Sequence, residues 1–224
     1  MAKSSPFEGV HQQLGARFAE YNGWRLPQDY GDPAGECAAL STSSAAFDLC
    51  SFGRFSIPVA GTAGLTGQLT GGTLLPEDGT WIRSEMNGTG SVRIARIRNQ
   101  YLMLTQPEHR QGVLERIQKA GIAAVDVTEK TGMLGVYGPD AFRAIGKIVP
   151  LDLSDLVPGS AVSHSFFMIT VTALRGSWLN VDGLELICPA SAAGLAAGAI
   201  ARYHKQQNIV PAGMDCLIKA LGND

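Results

Sequence analysis

The sequence predicts an α+β fold, and three observations carry that expectation. Helical periods with matching end signals recur at four places, β-branched or alternating runs fall between them, and the two kinds alternate irregularly. Neither glycine-rich break, "AGTAGLTGQLTGGTLLPEDG" (60–79) or "LRGSWLNVDG" (174–183), contains a GxGxxG or a Walker lysine, so a nucleotide-binding doubly wound sheet is not indicated. Both breaks are expected to be loops or short helices between strands.

In chain order, "GRFSIPVAG" (53–61), "SVRIARI" (91–97) and "QYLMLTQ" (100–106) have strand character. "PEHRQGVLERIQKAG" opens a helix with Pro107 in its first turn, repeats apolar residues at Val113, Leu114 and Ile117, and stops at Gly121. Strands "AAVDVTE" (123–129) and "TGMLGVYG" (131–138) follow, then a helix in "GPDAFRAIGKIV" from Pro139. "SFFMITVTAL" (165–174) and "LELICP" (184–189) are the last expected strands. The Ala-rich "PASAAGLAAGAIARYHKQQ" (189–207) predicts a longer helix whose small residues allow close packing, and "AGMDCLIKAL" (212–221) a final amphipathic one.

A chain of 224 residues suffices for one large domain or two small interlocked ones with a core that needs no staples. The net charge of −2, from 18 basic and 20 acidic residues, suggests neither nucleic acid nor an anionic membrane as a partner. Cys37, Cys50, Cys188 and Cys216 are widely separated with no CxxC pair, which predicts buried free thiols and no metal site. "MAKSSPFEGV" lacks the charged start and apolar run of a signal peptide, and no run approaches the roughly 20 apolar residues of a membrane span. The cytoplasm is the expected compartment.

The most unusual stretch is "SEMNGTGSVRIARIRNQYLML" (84–104), in which Arg93, Arg96 and Arg98 interrupt the apolar residues of a strand. Alternation puts Arg96 and Arg98 on one face and Arg93 on the other. Two readings stay open: a solvated or partner-facing strand with snorkelling stems, or Arg93 turned into a channel where its fork binds a carboxylate or phosphate. Ser163, His164 and Ser165 do not make a nucleophilic pair, because neighbours on a strand point to opposite faces. His11, His109 and His204 are expected at the surface or on helices.

"SPFEGVHQQLGARFAEYNGWRLPQDYGD" (5–32) and "GECAALSTSSAAFDLCSFGRFSIPVAG" (35–61) resemble the aminomethyltransferase (T-protein) family of the glycine cleavage system. "LGARFAEYNGWRLPQDYG" and "AAFDLCSFGRFSI" are the specific parts; "TGMLGVYGPDA" (131–141) and "VDGLELICP" (181–189) extend the likeness over almost the whole chain. The resemblance implies two interlocked α+β domains, one from residues 1–54 plus 146–224 and one inserted at 55–145, without that family's C-terminal barrel domain. It also implies tetrahydrofolate in a central channel between the domains.

By resemblance, a carboxylate that positions or deprotonates the folate amine belongs on the strand after a Gly-Gly turn, here "NGTGSVRIA". That position falls on or beside Arg93, and an arginine cannot accept a proton at neutral pH. Glu185 matches a glutamate that accepts two hydrogen bonds from the pterin edge; its own-residue alternative is a strand-end carboxylate facing water. Trp178 falls near a loop aromatic that would stack on a flat ring, and Gln106 near an asparagine that contacts the pterin. Arg83 replaces a tyrosine, and Met214 stands where an arginine beside Asp215 would bind the folate tail. Asp48 matches a position near the domain junction, with a structural hydrogen-bonding role. The expected function is an aminomethyltransferase-like, tetrahydrofolate-binding protein of one-carbon metabolism with a degenerate catalytic site. Two alternatives remain. One is a non-catalytic partner subunit of a split methyltransferase or a sarcosine-oxidase-like complex. The other is an active methyl or aminomethyl transferase using other residues.

Overall fold

A computed structural model describes residues 2–61, 72–86, 88–149, 153, 156–166 and 168–222. From the N-terminus these form β1 (Lys3–Ser4), α1 (Glu8–Gln13), β2 (Arg17–Tyr21), β3 (Trp24–Asp29), α2 (Pro33–Thr42), β4 (Ser44–Asp48) and β5 (Gly53–Pro58). The middle of the chain supplies β6 (Trp81–Met86), β7 (Gly90–Ile97), β8 (Gln100–Thr105), α3 (Arg110–Lys119), β9 (Val125–Asp126), β10 (Thr131–Tyr137) and α4 (Ala141–Gly146). The last part supplies β11 (Ala161–Phe166), β12 (Ile169–Arg175), β13 (Gly183–Pro189), α5 (Ala193–Tyr203), β14 (Ile209–Pro211) and α6 (Met214–Leu221). The fold is α+β, as expected. No described helix is long and apolar enough to cross a membrane.

Three sheets organise these elements: β1-β3-β2, the six-stranded β11-β12-β13-β10-β4-β14, and the five-stranded β6-β7-β8-β5-β9. The expected division at residues 55–145 does not coincide with them. β10 pairs with β4 and β13 in the six-stranded sheet, and α4 packs on β10, so the five-stranded sheet's last strand is β9. Long-range pairing decides where β10 goes, and a local pattern of apolar residues carries no record of it.

Two other expectations need correction. "SFFMITVTAL" is not one strand: Met168 takes a left-handed φ of 70°, and a hairpin turns there between β11 and β12. "AAVDVTE" yields only the two-residue β9. The hairpin β2–β3 was legible but not anticipated. Asn22 (φ 49°) and Gly23 (φ 78°) are an Asn-Gly pair in the left-handed region, the residues a tight two-residue hairpin demands. Of the break at 60–79, residues 62–71 lie outside those described, as does Pro150.

Strand alternation partitions the core. On the five-stranded sheet Phe55, Ile57, Val92, Ile94 and Met103 form one cluster with Val113 and Ile117 of α3. The opposite face carries Arg54, Arg93, Ala95 and Leu104, and Ala95 and Leu104 join the larger core of the six-stranded sheet. Two fully buried arginines therefore stand between the sheets. They meet different fates.

Arg54 ties both chain crossings. The chain leaves the six-stranded sheet after β4 and returns through residues 127–130. Arg54 donates to the carbonyls of Leu49 (3.2 Å), Phe52 (2.8 Å) and Cys50 (3.3 Å) on the way out, and to Thr128 O, Thr131 O (3.1 Å) and Thr131 Oγ1 (2.7 Å) on the way back. The sheets also meet edge to edge, with Trp81 N donating to Gly159 O and Ala161 N to Gly79 O, each at 2.8 Å.

Arg54→Met removes the guanidinium and strands several buried carbonyls, each costing roughly 1–3 kcal/mol if unmet. Urea unfolding is expected to show a loss of at least about 3 kcal/mol relative to wild type. A loss under about 1 kcal/mol would mean that the crossings hold without it.

Candidate functional site

Arg93, on β7, points at β13. Its Nη1 lies 2.6 Å from Glu185 Oε1, and both side chains are 0 % exposed. The guanidinium carbon lies 4.2 Å from the Trp81 ring centroid and 5.1 Å from that of Trp178, within cation–π range of both. Tyr137 Oη donates to the same Glu185 oxygen at 2.7 Å. Burial first, then the Glu185 charge, pushes the Tyr137 phenol well above its ordinary value, so it remains a donor.

Local sequence explains how these groups converge. β13 is paired to β12 and β10 along its two edges, and its residues are buried on both faces; Glu185 points away from Leu184 and Leu186, but that side is buried too, not a water-facing strand end. Register sets Gly183 opposite Tyr137, and a Cβ at Gly183 would stand 2.5 Å from the Tyr137 ring. Gly176 (φ 151°) plays the same part for Trp81, whose ring a Cβ would meet at 2.3 Å. Trp81 Nε1 donates to Arg175 O at 2.8 Å, and Phe52 packs on Trp178 with ring centroids 5.3 Å apart.

The pair is incompletely satisfied. Arg93 Nε and Nη2, Glu185 Oε2 and Trp178 Nε1 are buried with no hydrogen-bond partner among the described residues. The guanidinium thus makes one bond to the carboxylate, not the two-bond fork of which it is capable.

Of the other expected residues, Arg83 lies across from Arg93 on the edge strand β6, exposed, and its Nη2 donates to Trp178 O at 3.4 Å. Gln106 lies beyond β8 at the start of a 3-10 turn, and no described hydrogen bond joins it to Arg93 or Glu185. Met214 is buried in the first turn of α6, while Asp215 accepts from Tyr21 Oη (2.9 Å) and Gln28 Nε2 (3.1 Å). Arg96 lies over Tyr101, and Arg98, at φ 54°, belongs to the β7–β8 turn.

A second polar cluster was only half anticipated. His11 is not at the surface: its Nε2 stands 2.9 Å from Asp48 Oδ2 and its Nδ1 2.7 Å from Tyr30 Oη. Ser5 Oγ also donates to Asp48 Oδ2, and Cys50 N to Oδ1 at 2.9 Å. Burial pushes the Asp48 carboxyl up, but the bonds from His11, Ser5 and Cys50 outweigh it and hold the pKa below the ordinary value. Burial and the charges of Asp48 and Glu36 push Tyr30 up, so it stays protonated. This is a set of donors closed around one carboxylate, with no activated nucleophile in it.

A family model described as the GCVT N-terminal domain matches residues 7–220. Among curated proteins, the aminomethyltransferase of Saccharopolyspora erythraea is 25% identical over 96% of this chain and 61% of its own length. That of Mycobacterium avium is 26% identical over 93% and 59%. The chain therefore spans about three fifths of these relatives. Among solved structures, glycine cleavage system aminomethyltransferase T from Bartonella henselae superposes with a TM-score of 0.84 at 16% identity, covering 99% of this chain and 62% of that one. A chain of heterotetrameric sarcosine oxidase from Corynebacterium sp. U-96 superposes with a TM-score of 0.57 at 16% identity, covering 79% of this chain and 93% of that one.

Two measurements test the clusters. Glu185→Gln leaves a buried guanidinium without its counter-charge and is expected to cost about 3–5 kcal/mol in urea unfolding. Arg93→Met, Glu185→Leu and Tyr137→Phe together should recover most of that loss, and a triple variant as weak as the single one would refute the pairing. Asp48 binds a proton less readily folded than unfolded, so its contribution is complete above about pH 4 and is lost as pH falls through its lower folded value. Asp48→Asn should accordingly flatten the acid side of the stability–pH curve, followed by unfolding at stepped pH; an unchanged slope would count against this role.

Proposed function

Because the chain belongs to the GCVT N-terminal domain family, we propose that it is an aminomethyltransferase-like protein of one-carbon chemistry that carries out no transfer itself and serves as a non-catalytic partner of an enzyme that does. The observation that carries this reading is the buried Arg93–Glu185 pair. Aminomethyl transfer to a folate amine needs a group that positions the amine and accepts its proton. Arg93 is a permanent cation and donates only, and the carboxylate it meets, Glu185, is bound to Arg93 and Tyr137.

The position of Arg93 counts against tetrahydrofolate at Glu185. A flat ring against Glu185 Oε1 would need the place the guanidinium holds, 2.6 Å from that oxygen and against Trp81 and Trp178. The three-dimensional likeness to a chain of a heterotetrameric oxidase supports a role inside an assembly.

The second reading is a reduced-folate binder in which Arg93 turns away. It is favoured by the unmet Glu185 Oε2 and Trp178 Nε1, an acceptor and a donor that a pterin edge would satisfy.

The isolated protein is expected to form no methylene-tetrahydrofolate from an aminomethyl-lipoyl carrier and to give no saturable heat with tetrahydrofolate in calorimetry. Turnover by the wild type overturns the first reading. Saturable binding without turnover selects the second. Activity in Arg93→Asp alone would show a scaffold silenced by one side chain.

A further inference from the structure

Arg93 sits in a receptor whose walls are held without it. Tyr137 donates to the Glu185 carboxylate at 2.7 Å, a bond in which Arg93 takes no part. Trp81 is fixed through its ring nitrogen to Arg175 O at 2.8 Å, and Trp178 is braced by Phe52. The close approaches at Gly176 and Gly183 shape the positions of Trp81 and Tyr137, and again Arg93 takes no part. A carboxylate with two indoles around it matches a flat, delocalised cation: one charge, donors in the plane and a face for stacking.

The tether of the arginine also limits the fit. Held to β7 through its stem, the guanidinium delivers only Nη1 to Glu185 and leaves Nε, Nη2 and Glu185 Oε2 idle. An untethered guanidinium is free to rotate and meet both carboxylate oxygens.

We propose that the inter-sheet cage of Glu185, Trp81, Trp178 and Tyr137 is a binding site for a planar guanidinium-type cation, and that Arg93 is its built-in ligand, closing the site from within the chain. This deepens the reading that no cofactor is held there and rests on it. Removing the arginine side chain should leave a receptor that accepts a free alkylguanidinium and rejects an ammonium of equal charge, which has neither the flat face nor the fork.

The experiment is calorimetric titration of Arg93→Ala with methylguanidinium at millimolar concentration, with methylammonium as the comparison and thermal unfolding alongside. Expected are saturable one-to-one binding, a raised Tm, at least about tenfold weaker binding of methylammonium, and loss of both effects when Glu185→Gln is added. Absence of saturable methylguanidinium binding to folded Arg93→Ala, or binding that Glu185→Gln leaves intact, overturns the proposal. Should Arg93→Ala not fold, nitrogen NMR of arginine side chains in the wild type decides. The guanidinium signal that is lost in Arg93→Lys must show a ring-current shift and protection from solvent exchange, and a freely exchanging, unshifted signal at that position refutes the cage. Turnover by the wild type would remove the functional reading, whereas failed methylguanidinium binding without turnover removes only this inference.

Discussion

Arg54 is the constraint on which the arrangement of the two larger sheets rests. Its guanidinium is fully buried, yet among the described residues it has no ion pair with a carboxylate. Instead it is surrounded by carbonyl oxygens and a threonine hydroxyl from the two segments that pass between the sheets. A buried cation is tolerable on such terms because each N–H recovers in protein dipoles what it gave up in water. Together with the edge-to-edge backbone bonds of Trp81 and Ala161, this side chain holds the five-stranded sheet against the six-stranded one, and so sets where β7 faces β13.

Arg93 shares that interlayer and shows the contrast. Where Arg54 spends all its donors, Arg93 leaves two nitrogens idle and relies on one carboxylate and two indoles. Saturated buried cations hold a fold in place, whereas a half-saturated one in an aromatic cage has the composition of a recognition site. The difference between the two arginines distinguishes scaffold from candidate site more sharply than burial, which is equal for both.

Much of this was legible in local pattern. The period of two in "SVRIARI" separates Arg93 from Arg96, and the helix signals around Pro107 and Gly121 bound α3 to within a few residues. The resemblance to the aminomethyltransferases, carried by the N-terminal wording and "VDGLELICP", agrees with the family match and with the superposition. What sequence did not disclose was burial on both faces of a strand. Glu185 and Arg93 have alternating neighbours typical of half-exposed strands, and only the second sheet laid over them removes the water. His11 lies on a helix as expected, but its burial against Asp48 was not legible for a related reason: a histidine in a short helix carries no sign of a carboxylate that lies far along the chain. The hairpin at Met168 was hidden because a β-rich run reads as one strand unless its turn holds glycine or asparagine.

The pairing of β4 with β10 has a consequence for how the chain reaches this structure. The two are antiparallel neighbours, Asp48 facing Leu134 and Ala45 facing Tyr137. Topologically they are the arms of one hairpin, and its loop is an entire five-stranded sheet with its helix. The entropy of closing so long a loop is set against the pair until the loop becomes compact. Local hairpins such as β7–β8 face no such penalty and are favoured to form early. The β4–β10 pairing becomes favourable once the collapsed loop has brought their ends within reach.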